Sequence, residues 1–274
     1  MNKLDETKRT AVVAALVEGC SIRSTVRMTG VSKNTISKLL VELGAACSDY
    51  LDNHLVNLNS KRIQCDEIWS FVGAKDKNVP STRKDEFGIG SAWTWVAIDA
   101  DSKLICSWLV GKRDPGCATE FIQDLAGRLA NRVQLTTDGL KCYLTAVPDG
   151  FGSEIDYAML VKLYGNDSEG EKRYSPAVCT GCKKQTKIGD PDEKHVSTSY
   201  IERQNLTMRM GMRRFTRLTN AFSKKIENHV AAIALHYMYY NYCRIHQTLR
   251  VTPAMESGIA SHVWSISELI ELLK

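Results

Sequence analysis

The sequence predicts an α/β protein, a mixed β-sheet with flanking helices, preceded by a small all-α unit. Three observations carry that prediction. Residues 62–110 hold three strand-like runs, the last two separated only by Ala100-Asp101-Ser102, which reads as an antiparallel meander with a hairpin turn. Residues 117–130 have helical spacing and lead into another strand-like run ending at Asp138, and strand, helix, strand in that order implies a parallel neighbour. Residues 5–45 show helical periodicity alone.

In the N-terminal part, Ala11, Val12, Ala15 and Leu16 mark the apolar face of a first helix that Gly19 ends. Ser21 starts a short second helix through Met28, Gly30 makes the turn, and Ser32 caps a third helix over residues 33–43 whose Ile36, Leu39 and Leu40 face inward. This is helix-turn-helix spacing. It would set Ser32, Lys33, Asn34, Thr35 and Lys38 toward the base edges of a DNA major groove, although a three-helix packing module has the same apolar pattern. Residues 46–60 carry few structural signals and read as a linker or short connecting helix. A boundary near residue 55 therefore divides the chain into 1–55 and 56–274.

The strand-like runs are Arg62 to Val72, Ser91 to Asp99, Lys103 to Val110, Val133 to Asp138, and Asp156 to Tyr164. The polar stretch 74–86 reads as an exposed loop. Phe121, Ile122, Leu125 and Leu129 give the crossover helix its apolar face, and residues 139–146 form a short helix. Residues 165–197 are polar and without periodicity. They hold Cys179-Thr180-Gly181-Cys182, half of a structural zinc ligand set, which reads as a tight turn with two thiols rather than a finger. Residues 221–244 are helical, and Thr252-Pro253 starts another helix in cap-then-proline order. His229, His236 and His246 recur without ligand spacing, so packing or DNA contact accounts for them.

At 43% hydrophobic and 24% charged over 274 residues, the composition is that of a folded globular chain. The longest aliphatic run, Ala11 to Val17, is far short of the ~20 residues of a membrane helix, and an N-terminal signal sequence is not evident. A cytoplasmic protein without membrane contact is the expectation, and nine scattered cysteines fit a reducing compartment. The net charge of +5 is unevenly spread. Between residues 203 and 225 lie Arg203, Arg209, Arg213, Arg214, Arg217, Lys224 and Lys225 with no acidic residue, as a phosphate backbone would require; a solvated helix face is the plainer account.

Asp66, in one strand-like run, and Asp138, ending another, are placed to meet Glu202 at the start of the basic helix. Three carboxylates on rigid elements are the hard oxygen donors that two Mg2+ ions need for phosphodiester chemistry, with Mn2+ able to substitute. Ser199-Tyr200-Ile201-Glu202 also fits a capping box, in which Glu202 would only start a helix.

The motifs Asp66-Glu67-Ile68-Trp69-Ser70-Phe71-Val72-Gly73-Ala74-Lys75, Thr137-Asp138-Gly139 with Tyr143, Ile201-Glu202-Arg203-Gln204-Asn205-Leu206 and Phe222-Ser223-Lys224-Lys225 resemble those of DDE transposases of the insertion-sequence-one family, over residues 62–243. The resemblance implies an RNase H-like sheet and metal-dependent strand cleavage and strand transfer at the ends of a bacterial or archaeal insertion sequence. It implies Asp66, Asp138 and Glu202 as catalytic metal ligands, two Mg2+ ions, and double-stranded DNA (terminal repeats and target) bound by a homo-oligomer at the nucleoid. Two departures stand out: the cysteine-rich module that often precedes the helix-turn-helix in this family is missing, and the 165–197 loop is longer. A structure-directed or repair nuclease of the same fold, or a transposase-derived DNA-binding regulator without catalysis, are the competing functions.

Overall fold

The computed structural model describes residues 4–84, 86, 88–165, 179–216 and 220–274. Helices α1 (Glu6–Val17), α2 (Ile22–Thr29) and α3 (Lys33–His54) open the chain. Each begins at a side chain that accepts a backbone N–H from the first turn: Asp5 from Lys8, Ser21 from Ser24, and Ser32 from Thr35. Gly30 closes α2 in the left-handed region at φ 69°, with nothing near the place a Cβ would occupy, so conformation rather than space favours glycine there.

The third helix runs eleven residues past the predicted end, through the stretch read as a linker. Leu40, Leu43, Cys47 and Leu51 continue one buried stripe, which packs on α7 (Ile226–Met238). A Cβ on Gly44 would come within 2.5 Å of Ala231, so the two helices meet with almost no side chain between them. Asn53, which read as a breaker, lies exposed in the last turn, where its amide donates to the carbonyl of Asp49.

Six strands form one sheet in the order β3-β2-β1-β4-β5-β6. They are β1 (Arg62–Val72), β2 (Gly90–Asp99), β3 (Ile105–Gly111), β4 (Val133–Thr137), β5 (Ile155–Tyr164) and β6 (Cys179–Ile188). The first three form the predicted meander; at its turn the Asp99 carboxylate accepts from the N–H of Asp101, and Lys103 adopts φ 62°. Helix α4 (Pro115–Arg128), capped by Asp114 with proline in its first turn, crosses over to β4, which lies parallel to β1 as strand, helix, strand order requires. Strand β5 is parallel to β4. This is a mixed α/β sheet with helices on both faces, with the strand order and directions expected of an RNase H-like sheet.

Strand β6 departs from the expectation of an irregular 165–197 segment. It pairs antiparallel with β5 at the sheet edge, and nearly all its side chains are exposed, so no hydrophobic alternation marks it in the sequence. The Cys179 to Cys182 stretch lies on this strand, at a bulge, rather than in a tight turn. The part of that loop at 166–178 lies outside the described residues.

Helix α5 (Tyr143–Phe151) starts later than predicted, α6 spans Ser199–Gly211, and α7 begins at Ile226 and ends in a single wide turn, Tyr239–Cys243. Short helices α8 (Pro253–Glu256) and α9 (Ile266–Glu271) close the chain. His229 and His236 are buried in α7 and pack inside the protein. One apolar core runs from Val12 in α1 through Leu43 in α3 to Ile63 and Leu135 in the sheet. No helix among the described residues is long and apolar enough to cross a membrane.

Candidate active site

Cys65 of β1 stands level with Thr137 of β4 in the parallel ladder, so the next residues, Asp66 and Asp138, come side by side. Asp138 is the first residue past the carboxyl end of β4, where parallel sheets place ligands. Backbone and amide donors fix both carboxylates. Asp66 accepts from the N–H of Glu67 at 2.8 Å and from the Asn205 side-chain amide, on α6, at 2.9 Å; Asp138 accepts from the N–H of Leu140 at 2.9 Å. Burial, and then the neighbouring Asp138, push the Asp66 carboxyl up to about 6. Asp138 is also raised, by burial, against the pull of the Leu140 N–H and the Arg113 guanidinium 3.6 Å away.

Glu67 joins them. One oxygen from each of Asp66, Glu67 and Asp138 lies within 4.8 Å of the other two, the one such group of three or more potential metal-binding side chains among the described residues. The Glu67 side chain is 0% exposed; it accepts from the Tyr143 hydroxyl at 2.5 Å and from Arg113 Nε at 3.1 Å. Burial and the nearby Asp138 drive it up to about 8. Adjacent strand residues point to opposite faces, so Asp66 meets α6 while Glu67 meets α5 and Arg113. Both Glu67 oxygens are engaged from its own side.

Glu202 lies in the first turn of α6 but outside that close group. Its carboxylate accepts from Lys162 Nζ of β5 at 2.5 Å and from the Thr198 hydroxyl. Electrostatically it still reaches the pair, raising both Asp66 and Asp138. The capping box that the sequence allowed does not form: Ser199 is the first helical residue, and its N–H is met by Ser197 rather than by Glu202. A complete capping box occurs instead at Ser265 and Glu268. Glu202 is therefore not occupied in starting its helix.

The basic residues divide by exposure. Arg203, Arg213 and Lys225 are exposed, and Arg209 is half-buried in the last turn of α6. Arg214, expected on the phosphate-binding face, points inward: it donates to Ser223 Oγ at 2.7 Å, and burial lowers its guanidinium to about 10. The neighbouring short helical turn buries Phe215, and the chain cannot present two consecutive arginines on one side of it. Arg217 lies outside the described residues. Lys224 sits with its ammonium 3.1 Å over the Phe222 ring. In the N-terminal unit Ser32, Lys33, Asn34, Thr35 and Lys38 are all exposed, with Lys38 paired to Glu42 at 3.6 Å. The Cys179 and Cys182 thiols are close enough to hydrogen-bond, and both are exposed.

Arg113, Lys162 and Asn205 escaped the sequence reading as site residues. Asn205 was visible inside the motif that holds Glu202. Lys162, in a strand-like run, and Arg113, just before a helix, carry no local mark; only the sheet order brings them to the carboxylates.

No family model matches the chain, and no curated protein matches it. Among solved structures it is similar to a chain of the piggyBac transposase synaptic complex with hairpin DNA, at 11% identity and a TM-score of 0.43, covering 99% of this chain and 71% of that one. It is also similar to chains of the Mos1 strand transfer complex, at 14% identity and 0.23 over 54% of this chain and 55% of that one, and of a pre-cleavage Mos1 transpososome, at 12% and 0.23 over 57% and 59%.

Proposed function

We propose that the chain is a DDE-type transposase of a bacterial or archaeal insertion sequence, akin to the insertion-sequence-one family, that cleaves and joins DNA strands at element ends. The observation that carries this reading is the side-by-side placement of Asp66 and Asp138, two buried carboxylates whose protonation is pushed upward by burial and by each other. Uncompensated acidic oxygens this close fit hard divalent cations, and the all-oxygen donor set favours Mg2+ or Mn2+ over softer metals. Asp66, Asp138 and Glu202 would hold the ions. When bound, two such ions supply activation of the attacking oxygen and neutralisation of the leaving one.

Glu202 is preferred to Glu67 as third ligand on physical grounds. Glu67 is sealed, with both oxygens committed to Tyr143 and Arg113, whereas Glu202 is 38% exposed and held by a lysine that a cation can displace. In this scheme the chain's own groups do the positioning. Asn205 and the Leu140 N–H orient the two aspartates, Arg113 ties Glu67 to Asp138, and Lys162 parks Glu202 beside the site. Arg203, Arg209, Arg213 and Lys225 would contact phosphates. Residues 1–55 would read element-end sequence through the exposed start of α3, leaving 56–274 to carry the chemistry in a cytoplasmic homo-oligomer on DNA.

The test incubates the purified chain with Mg2+ and duplexes taken from either side of its reading frame. Cleavage at a defined end followed by joining to a second DNA is the expected result. Cleavage without joining would make the chain a nuclease, and sequence-specific binding without cleavage would make it a regulator.

A further inference from the structure

Past the carboxylates, β1 carries a row of aromatic rings. Glu67, Trp69 and Phe71 alternate to the same side of the strand. Trp93 of β2 stands directly across from Trp69, and the Arg113 guanidinium that holds Glu67 lies 4.7 Å over the Trp93 ring. The Trp69 and Phe71 rings are 5.8 Å apart, and Phe222 extends the row 4.6 Å beyond Phe71. Lys75 lies 5.6 Å over Phe71, and Lys224 lies over Phe222. Trp69, Trp93 and Phe222 each keep exposed surface.

We propose that this row binds the bases of an unpaired DNA strand running into the carboxylate site. The inference rests on the DNA-processing function proposed above and deepens it by naming a single-stranded segment as substrate. Rings of this size are ordinarily covered by apolar side chains. Here the described residues that cover them include three cations, an arrangement that suits stacked bases with their phosphates alongside. The two nearby acids are engaged: Glu67 by Tyr143 and Arg113, and Asp76 by the Ser91 N–H and hydroxyl. The Trp69 indole donates to that same Ser91 hydroxyl at 2.9 Å, which fixes the ring before any ligand arrives. Spacing decides between paired and unpaired DNA. Residues two apart on a strand repeat at ~6.6 Å, about twice the ~3.4 Å per nucleotide of a stacked duplex strand. The row therefore matches bases splayed apart.

The experiment measures binding of the full chain in EDTA to a thymidine oligonucleotide and to an abasic strand of equal length and charge. The wild type should bind the thymidine strand at least about tenfold more tightly, since each base stacked on a ring adds to the backbone term. Trp69→Leu and Trp93→Leu should fall to the abasic level, while Trp69→Phe, which keeps a ring and loses the Ser91 contact, should retain most of the preference. Equal wild-type binding to both strands overturns the proposal, as does an equal loss on both strands in the leucine variants. Mg2+-dependent nicking of duplex plasmid by the same wild-type preparation separates the two readings. Nicking without base preference defeats the aromatic row alone, and absence of nicking defeats the proposed function whatever the oligonucleotides do.

Discussion

Replacing Glu202 by glutamine separates a metal ligand from a surface ion-pair partner. In the structure Glu202 pairs with Lys162 at 2.5 Å, and the two side chains are 38% and 30% exposed. Such a pair contributes only about 0–1 kcal/mol to stability, which for a chain of this size is a melting shift of no more than about 4 °C. Glu202→Gln should therefore fold and melt almost as the wild type does. As a ligand, however, the amide lacks the charge that holds a hard cation, and Mn2+ affinity measured by calorimetry should fall at least about tenfold. Lys162→Ala gives the converse. If the lysine competes with the ion for Glu202, its removal should tighten Mn2+ binding, by up to about fivefold for the same ~1 kcal/mol. Wild-type Mn2+ affinity in Glu202→Gln would refute the reasoning, and so would a loss of affinity in Lys162→Ala, since the lysine would then be organising the site rather than occupying it.

Three further outcomes follow from the geometry. Asp66 holds its proton up to about pH 6 in the folded state, against ~3.9 in an unfolded chain, so metal-free stability should fall as pH rises across that window. Asp66→Asn removes the fall, and the difference between wild type and variant in urea titrations at pH 4 and pH 7 isolates it from the buried His229 and His236, whose lowered values act in the opposite sense. Gly44→Ala would press a methyl into Ala231, and overpacking of about 1–3 kcal/mol should lower the melting temperature by several degrees in calorimetry. Arg213→Ala should weaken DNA binding on all sequences and reduce its salt dependence by about one unit of slope, whereas Arg214→Ala, which strips the inward partner of Ser223, should lower the melting temperature instead.

The central strands were legible because their signals are local. Residues 62–72 read as a strand from apolar and β-branched or aromatic content, the Asp101 turn announced the hairpin, and the helix before β4 implied the parallel pairing that sets Asp66 beside Asp138. What the sequence hid is nonlocal. The extra turns of α3 exist because α7 packs against Cys47 and Leu51, and β6 exists because β5 offers it an open edge. Arg213 and Arg214 look alike in sequence, and only the fold turns one inward. The Ser199 to Glu202 pattern satisfied a local rule that the chain declined, since the helix begins one residue beyond Thr198 and the glutamate is drawn to Lys162. Glu67 was named as part of a motif, but its closeness to Asp66 and Asp138 depends on two strands and is invisible in one.

The account stands most directly on whether the Asp66 and Asp138 pair supports metal-dependent strand cleavage. Nicking of supercoiled plasmid by the wild type, Asp66→Asn and Asp138→Asn proteins, each with Mg2+ and with EDTA, measures this with folding checked by thermal melting. The predicted result is nicking by the wild type in Mg2+ alone and by neither folded variant. A folded Asp138→Asn protein that nicks at the wild-type rate, or wild-type nicking that persists in EDTA, would contradict it.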